Sequence, residues 1–307
     1  MAVSLPLRTR LKAWWHGYDL EVIRRFKGFE PLENNHGVSF EAELQPWEKP
    51  ELLVPQLIWG EGFLTPGGAS RTAELVKPLG LDESMSVLDI GSHLGGQARL
   101  IARDFGSWVT GVETDPELTE VAKLMSEKEG LGKKALVHRF EPSSVEFRQN
   151  AFDVAVSTDA LYRIEDKETL LSAVDEALKG RSQIMIADYV RDSDVADSTA
   201  LDAWVKAEPG PVHLWTERDY RSLFTDLKFD LRICSDVTDT LRSTILASFS
   251  EYLKEAATSG VEDRLRETLV GEVERWMRLV AALDSGAVKA LRLHAFRAQR
   301  SSLLSDW

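Results

Sequence analysis

Cysteine is almost missing from the 307-residue chain: Cys234 stands alone, so neither an intrachain disulfide nor a cysteine-based metal cluster can form. Net positive charge is missing as well. Lys and Arg number 37 against 50 Asp and Glu, a formal net charge of -13 at pH 7. That balance argues against broad nucleic-acid binding, because a surface that tracks phosphates must be positive. No apolar run reaches the ~18 residues of a membrane span, and no signal peptide, internal repeat or low-complexity tract is evident. His16, His36, His138, His213 and His294 show no metal-ligand spacing, so no metal is assigned. The expectation from these absences is a soluble, cytoplasmic protein without a nucleic-acid partner. Nothing in the sequence sets its oligomeric state. Hydrophobic residues make up 43%, enough for a full core in one large domain.

What is present is organised around Met85 to Asp115, MSVLDIGSHLGGQARLIARDFGSWVTGVETD. The run Met85 to Ile90 is short enough for a buried parallel strand and stops at Gly91. A helix is expected from about Gly95, with Ala98, Leu100, Ile101 and Phe105 on the sheet and Arg99, Arg103 and Asp104 towards solvent. A second strand, Trp108 to Val112, is closed by Glu113. Glycines at 91, 95 and 96 let a ligand lie against bare backbone beside a helix N-terminus, and a carboxylate at the tip of the second strand can take both hydroxyls of a ribose. Dinucleotide enzymes usually show G-x-G-x-x-G for a pyrophosphate. Here the spacing is G-x-x-x-G-G with Asp89 two residues ahead of the first glycine. Such an acid repels a pyrophosphate and suits a cationic ligand, which points to S-adenosylmethionine and to its product S-adenosylhomocysteine.

Before this stretch, Leu7 to Phe29 has apolar residues at helical spacing and a basic polar side with Arg8, Arg10, Lys12, Arg24, Arg25 and Lys27. A lid over the cofactor cleft is the favoured expectation for it, and contact with an anionic membrane surface the less favoured one. Residues 30 to 56, with four prolines, read as a connector with little regular structure. Trp59 to Gly68, WGEGFLTPGG, reads as a tight loop passing close to the cofactor, followed by a helix from Ala69 to Leu79. After the second strand come a helix over Pro116 to Glu127, strands over Ala135 to Phe140 and Phe152 to Ser157, a helix over Lys167 to Leu178, and a strand over Gln183 to Ala187. A helix from Thr216 to Leu227 with Asp219 in a capping box and a strand over Phe229 to Cys234 follow. Thr240 to Ala282 is strongly helical, and Leu291 to Ala298 is a candidate last strand. The alternation predicts an α/β fold, a doubly wound, mostly parallel Rossmann-like sheet with a helical N-terminal lid and a helical insertion before the last strand. The expected divisions are 1–56 for the lid and connector, 57–237 for the cofactor-binding core and 238–307 for the C-terminal helices and strand.

With GEGFLTPGG at Gly60 to Gly68, VLDIGSHLGG at Val87 to Gly96, GVE at Gly111 to Glu113, FDVAVSTDAL at Phe152 to Leu161 and ADY at Ala187 to Tyr189, the chain resembles the phosphoethanolamine N-methyltransferase family of class I, S-adenosylmethionine-dependent methyltransferases. The resemblance implies that Leu64 and Thr65 lie beside the cofactor, Asp89 and Gly91 at its methionine end, Glu113 on the ribose, and Glu141 at the adenine amino group. His93, Gly95, Thr114, Pro142 and Thr158 complete the expected cofactor contacts. It also implies that Asp159 faces the substrate amine and Tyr189 helps hold the substrate phosphate. The family's histidine beyond the substrate acid is replaced by Arg163, which is expected either to bind an acidic group of the substrate or to pair with Glu165 or Asp166. The expected reaction is methylation of a small-molecule amine. Acceptors through sulfur, carbon or a lipid headgroup, and a non-catalytic binding or scaffold role, are the alternatives.

Overall fold

The computed structural model describes residues 44–195 and 198–297. The expected basic helix Leu7 to Phe29 therefore lies outside the described residues. Among the described residues seven strands form one sheet in the order β3-β2-β1-β4-β5-β7-β6. The strands are β1 (Ser86–Ile90), β2 (Trp108–Glu113), β3 (Ala135–Arg139), β4 (Phe152–Thr158), β5 (Leu178–Arg191), β6 (Phe229–Asp236) and β7 (Val288–Arg297). The first five pair in parallel, while β7 runs antiparallel to both β5 and β6. β5 is longer than the expected strand because β7 pairs with it from Ser182 to Arg191.

The helices are α1 (Pro50–Trp59), α2 (Gly68–Val76), α3 (Gly96–Asp104), α4 (Pro116–Lys128), α5 (Lys167–Ala177), α6 (Thr199–Ala207), α7 (Glu217–Asp226), α8 (Thr238–Ser259) and α9 (Arg266–Asp284). Their ends follow local chemistry. Asp115 caps α4 by accepting from the N–H groups of Glu117 and Leu118 at 2.7 and 3.0 Å, with Pro116 in the first turn. Thr216 and Asp219 form the expected reciprocal box at the start of α7. Gly260, at φ +76°, ends α8 and divides the expected long helical stretch into two helices before the last strand.

Three expectations are corrected. Residues 50–59 are a helix rather than open connector, so α1 runs through the division expected at residue 56. Pro50 fits the first turn, and Pro55 removes one internal hydrogen bond, but burial of Leu52, Val54, Ile58 and Trp59 outweighs that loss. Trp59 meets Phe249 of α8 and Trp276 of α9 edge-on at 5.3 and 5.2 Å. Helix α6 was not foreseen; Ser198 caps it and its Trp204 is fully buried. Arg99 does not face solvent. It is 2% exposed, with its guanidinium donating to the Leu94 carbonyl at 2.6 Å and pairing with Glu129 at 2.6 Å.

Candidate active site

Parallel strands bring the tips of β1, β2, β4 and β5 to one edge of the sheet, where open α/β folds bind ligands. The turn after β1 is held by the Gly91 and Ser92 N–H groups, both donating to the Val112 carbonyl at 2.9 and 3.1 Å. Gly91 has φ +74°, and a Cβ there would fall 2.1 Å from the Cβ of Ala160. Only glycine satisfies both conditions. His93 also adopts a left-handed backbone, φ +49°, which aims its N–H at Glu113 Oε2, 2.8 Å away. Glu113 Oε1 accepts from the Thr114 and Asp115 N–H groups at 2.8 and 3.1 Å. Three backbone donors, with the Thr114 hydroxyl at 3.2 Å, thus fix a buried carboxylate on the cavity wall and leave one lone pair of Oε2 for a ligand's hydroxyl.

Asp89 is the fourth residue of β1. Fully buried, it lines neither cavity; its carboxylate accepts from Ser92 Oγ at 2.6 Å and Gln97 Nε2 at 2.7 Å. Burial pushes its pKa up against the pull of those two bonds. Gln97 Oε1 in turn accepts from Thr158 Oγ1 at 2.8 Å, so Asp89 acts on the site by orienting Gln97 and Thr158. Gly95 likewise lines neither cavity and serves as the left-handed N-cap of α3.

The glycine-rich loop lies on the start of α3, where a Cβ on Gly96 would come within 2.4 Å of the Gly62 carbonyl oxygen. This contact brings Leu64 and Thr65 over the turn. Together with Gly91 and His93, they line both a small recess under the loop, which Thr158 also lines, and a main cavity of about 820 Å³. Glu113, Thr114, Phe140, Glu141 and Pro142 line the main cavity, as do Asp159, Arg163 and Tyr189. Of the fourteen positions singled out in the sequence, only Asp89 and Gly95 stand back from both walls.

Around Asp159, Tyr162 and Tyr189 the cavity is walled by ion pairs and aromatic rings. Asp159, at φ +50°, is clasped by Arg71 of α2, with Nη2 2.9 Å from Oδ1 and Nη1 on Oδ2. Arg163 pairs with Glu208, rather than with either nearby acid, and lies over the Tyr162 ring at 4.9 Å. Glu208 is a buried junction: it also accepts from the Tyr162 hydroxyl at 3.1 Å and Trp204 Nε1 at 2.8 Å, with Arg275 at 3.7 Å. Arg275 pairs with Glu272 at 2.8 Å. Tyr162, Tyr189 and Trp204 pack as a cluster with ring centres 5.0 to 5.8 Å apart. The buried Tyr189 hydroxyl has no hydrogen-bond partner among the described residues, and burial drives its pKa well up.

Beneath this wall, buried Asp188 accepts from the Tyr162 N–H at 3.1 Å and the Tyr220 hydroxyl at 2.7 Å. Burial raises its pKa to about 7. Lys167 donates to the Ile164 carbonyl at 2.6 Å and to that of His213, and burial lowers its pKa to about 8. Arg71, Gln97, Glu208, Glu272 and Arg275 escaped sequence reasoning. Gln97 follows a recognisable motif, but the others lie in ordinary helical or loop surroundings with no local signature.

A family model described as a methyltransferase domain matches residues 68–232. Phosphoethanolamine N-methyltransferase 3 of Arabidopsis thaliana is 25% identical over 260 residues, covering 84% of this chain and 51% of the relative. The phosphoethanolamine N-methyltransferase of Plasmodium falciparum is 26% identical over 210 residues, 68% of this chain and 77% of the relative. The chain spans about half the length of the plant relatives it matches. Among solved structures, Haemonchus contortus phosphoethanolamine N-methyltransferase 2, in complex with phosphomonomethylethanolamine and S-adenosylhomocysteine, superimposes with a TM-score of 0.71 at 21% identity, over 84% of this chain and 59% of that one. Geranyl diphosphate C-methyltransferase from Streptomyces coelicolor gives 0.60 at 16% identity, over 75% and 77%. The sheet order and flanking helices are those of the class I, Rossmann-like methyltransferase fold, and the chain belongs to the methyltransferase domain family.

Proposed function

We propose that this chain is an S-adenosylmethionine-dependent methyltransferase acting on a small-molecule acceptor, with an amine as the first choice. The observation that carries the reading is one cavity lined both by a fixed carboxylate at the tip of β2 and by Asp159, Arg163 and Tyr189. The residues fit the cofactor. Glu113 is held by three N–H donors with a lone pair of Oε2 free for a ribose hydroxyl, and Leu118, Phe140 and Pro142 offer an apolar surface for a base beside Glu141. Gly91 presents bare backbone to the tail, and Leu64 and Thr65 cover it.

When bound, S-adenosylmethionine supplies a methyl group on a cationic sulfur that leaves as a neutral thioether. An amine that enters already deprotonated attacks through its lone pair without a protein base, the product ammonium releases its proton to solvent, and holding the nucleophile in line supplies most of the rate. Asp159, Tyr189 and Arg163 are the residues assigned to the acceptor. The similarity to phosphoethanolamine N-methyltransferases supports an amine, and Arg163 and Arg275 in the same wall suit an acceptor that also bears an acidic group.

The test is transfer of labelled methyl from S-adenosylmethionine to a panel of amines, phosphoethanolamine included, alongside thioethers and carbon nucleophiles, with mass spectrometry of the product. A methylated amine is the expected result. Product only from a thioether or carbon acceptor would overturn the amine assignment while keeping methyl transfer. Absence of any transfer, together with no binding of S-adenosylhomocysteine, would overturn the whole reading in favour of a binding or scaffold role.

A further inference from the structure

The small recess under the glycine-rich loop has an uneven charge. Among the described residues its wall contains Thr65, Thr158 and Gln97, no carboxylate side chain, and one permanently charged group, the guanidinium of Arg71. That guanidinium lies where the recess meets the acceptor wall, since Arg71 lines the recess while its partner Asp159 lines the main cavity. A guanidinium has five N–H donors. Two bonds to Asp159 and a longer one of 3.4 Å to the Pro66 carbonyl engage three of them. Nε–H and the second Nη2–H make no hydrogen bond to another described residue, and the side chain, 18% exposed, lines the recess.

Resting on the cofactor reading above, we infer that Arg71 anchors the α-carboxylate of the cofactor's amino-acid tail while holding Asp159 on its other edge. With the ribose at Glu113, the tail runs past Gly91 into the recess, and a carboxylate arriving there meets the edge of the Arg71 guanidinium that Asp159 leaves free. Arg71 then serves both halves of the site. It binds the cofactor directly and positions Asp159 beside the acceptor amine. A planar fork suits two carboxylates at once, which a lysine ammonium does not reproduce.

The test is calorimetric binding of two ligands: S-adenosylhomocysteine, and its decarboxylated analogue, which keeps the ammonium and lacks the carboxylate. The wild-type protein is expected to favour S-adenosylhomocysteine by tenfold or more. Arg71→Gln is expected to erase that preference and to leave affinity for the decarboxylated analogue within about twofold. Because Arg71→Gln alone leaves Asp159 buried without its partner, the double variant Arg71→Gln/Asp159→Asn is measured beside it and should show the same loss of preference. Equal weakening towards both ligands, or an undiminished preference in the double variant, would overturn the inference. Failure of the wild-type protein to bind either ligand would overturn the cofactor reading itself, a result distinct from a wild-type protein that binds both without preference, which overturns Arg71 alone.

Discussion

The Tyr220 hydroxyl of α7 donates to Asp188 Oδ2 at 2.7 Å, joining the helix to the end of β5 beneath the acceptor wall. Asp188 is buried, which raises its pKa to about 7 from the ~3.9 of a free aspartate. The folded chain therefore holds the proton more tightly than the unfolded one. The stability contribution is full below pH ~4 and falls as pH rises to about 7. Asp188→Asn should remove that decline, so the variant gains about 2 to 4 kcal/mol relative to wild type between pH 4 and 7.5. Urea unfolding at several pH values checks it, and parallel curves for the two proteins would contradict it. Lys167 has a separate window: its pKa is lowered to about 8, so its contribution rises with pH from there to the ~10.4 of a free lysine and is constant above it.

Glu113→Gln keeps the shape of the side chain but removes the charge and places an amide where backbone N–H groups now donate. Affinity for S-adenosylhomocysteine should fall by ~1.5 to 3 kcal/mol, as expected for loss of charge-assisted bonds. Titration calorimetry measures this directly. Unchanged affinity would remove Glu113 from the proposed ribose contact.

Gly91 and Gly130 have nearly the same backbone angle, φ +74° and +72°, but different surroundings. A Cβ at Gly130 meets nothing within 4 Å, whereas one at Gly91 strikes Ala160. Gly130→Ala should cost about 1 kcal/mol, from conformation alone. Gly91→Ala should cost ~2 to 4 kcal/mol, because the tip of β4 must also move. Denaturant midpoints for the two variants separate the conformational cost from the steric one.

Glu208 accepts from Tyr162 and Trp204 and pairs with Arg163 and Arg275, with its own side chain 2% exposed. Glu208→Leu should lower stability by ~3 to 5 kcal/mol, since it leaves two guanidinium groups facing an apolar side chain. Glu208→Gln, which keeps an acceptor, should cost less. A thermal or urea unfolding series showing equal, small effects for both would mean that water replaces the carboxylate readily.

The cofactor half of the fold was legible because its signals are local. Gly91, Gly95 and Glu113 sit within one strand-turn-helix-strand unit, where spacing alone specifies backbone geometry. The acceptor half depends on residues far apart in the chain. Asp159 meets Arg71, and Arg163 meets Glu208, through folding of the whole sheet edge, so neither pairing leaves a trace at its own position. Arg99 misled for a related reason. Helical spacing placed it on the polar side of α3, but α4 brings Glu129 over that side and buries it. In α1, two prolines masked a helix whose stability comes from packing against α8 and α9.

The antiparallel strand β7 lies between β5 and β6, although it follows both in the chain. Its register joins Ser182 to Arg297 and Phe229 to that same arginine, so β6 completes its pairing in the sheet only when the chain has been made through residue 297. During synthesis, β1 to β5 can pair as their residues emerge, while β6 waits and β5 keeps an open edge. A chain cut before Val288 would carry two exposed strand edges with nothing to join them, and the wall built on β5, with Asp188 and Tyr189 at its tip, would lack its lateral support.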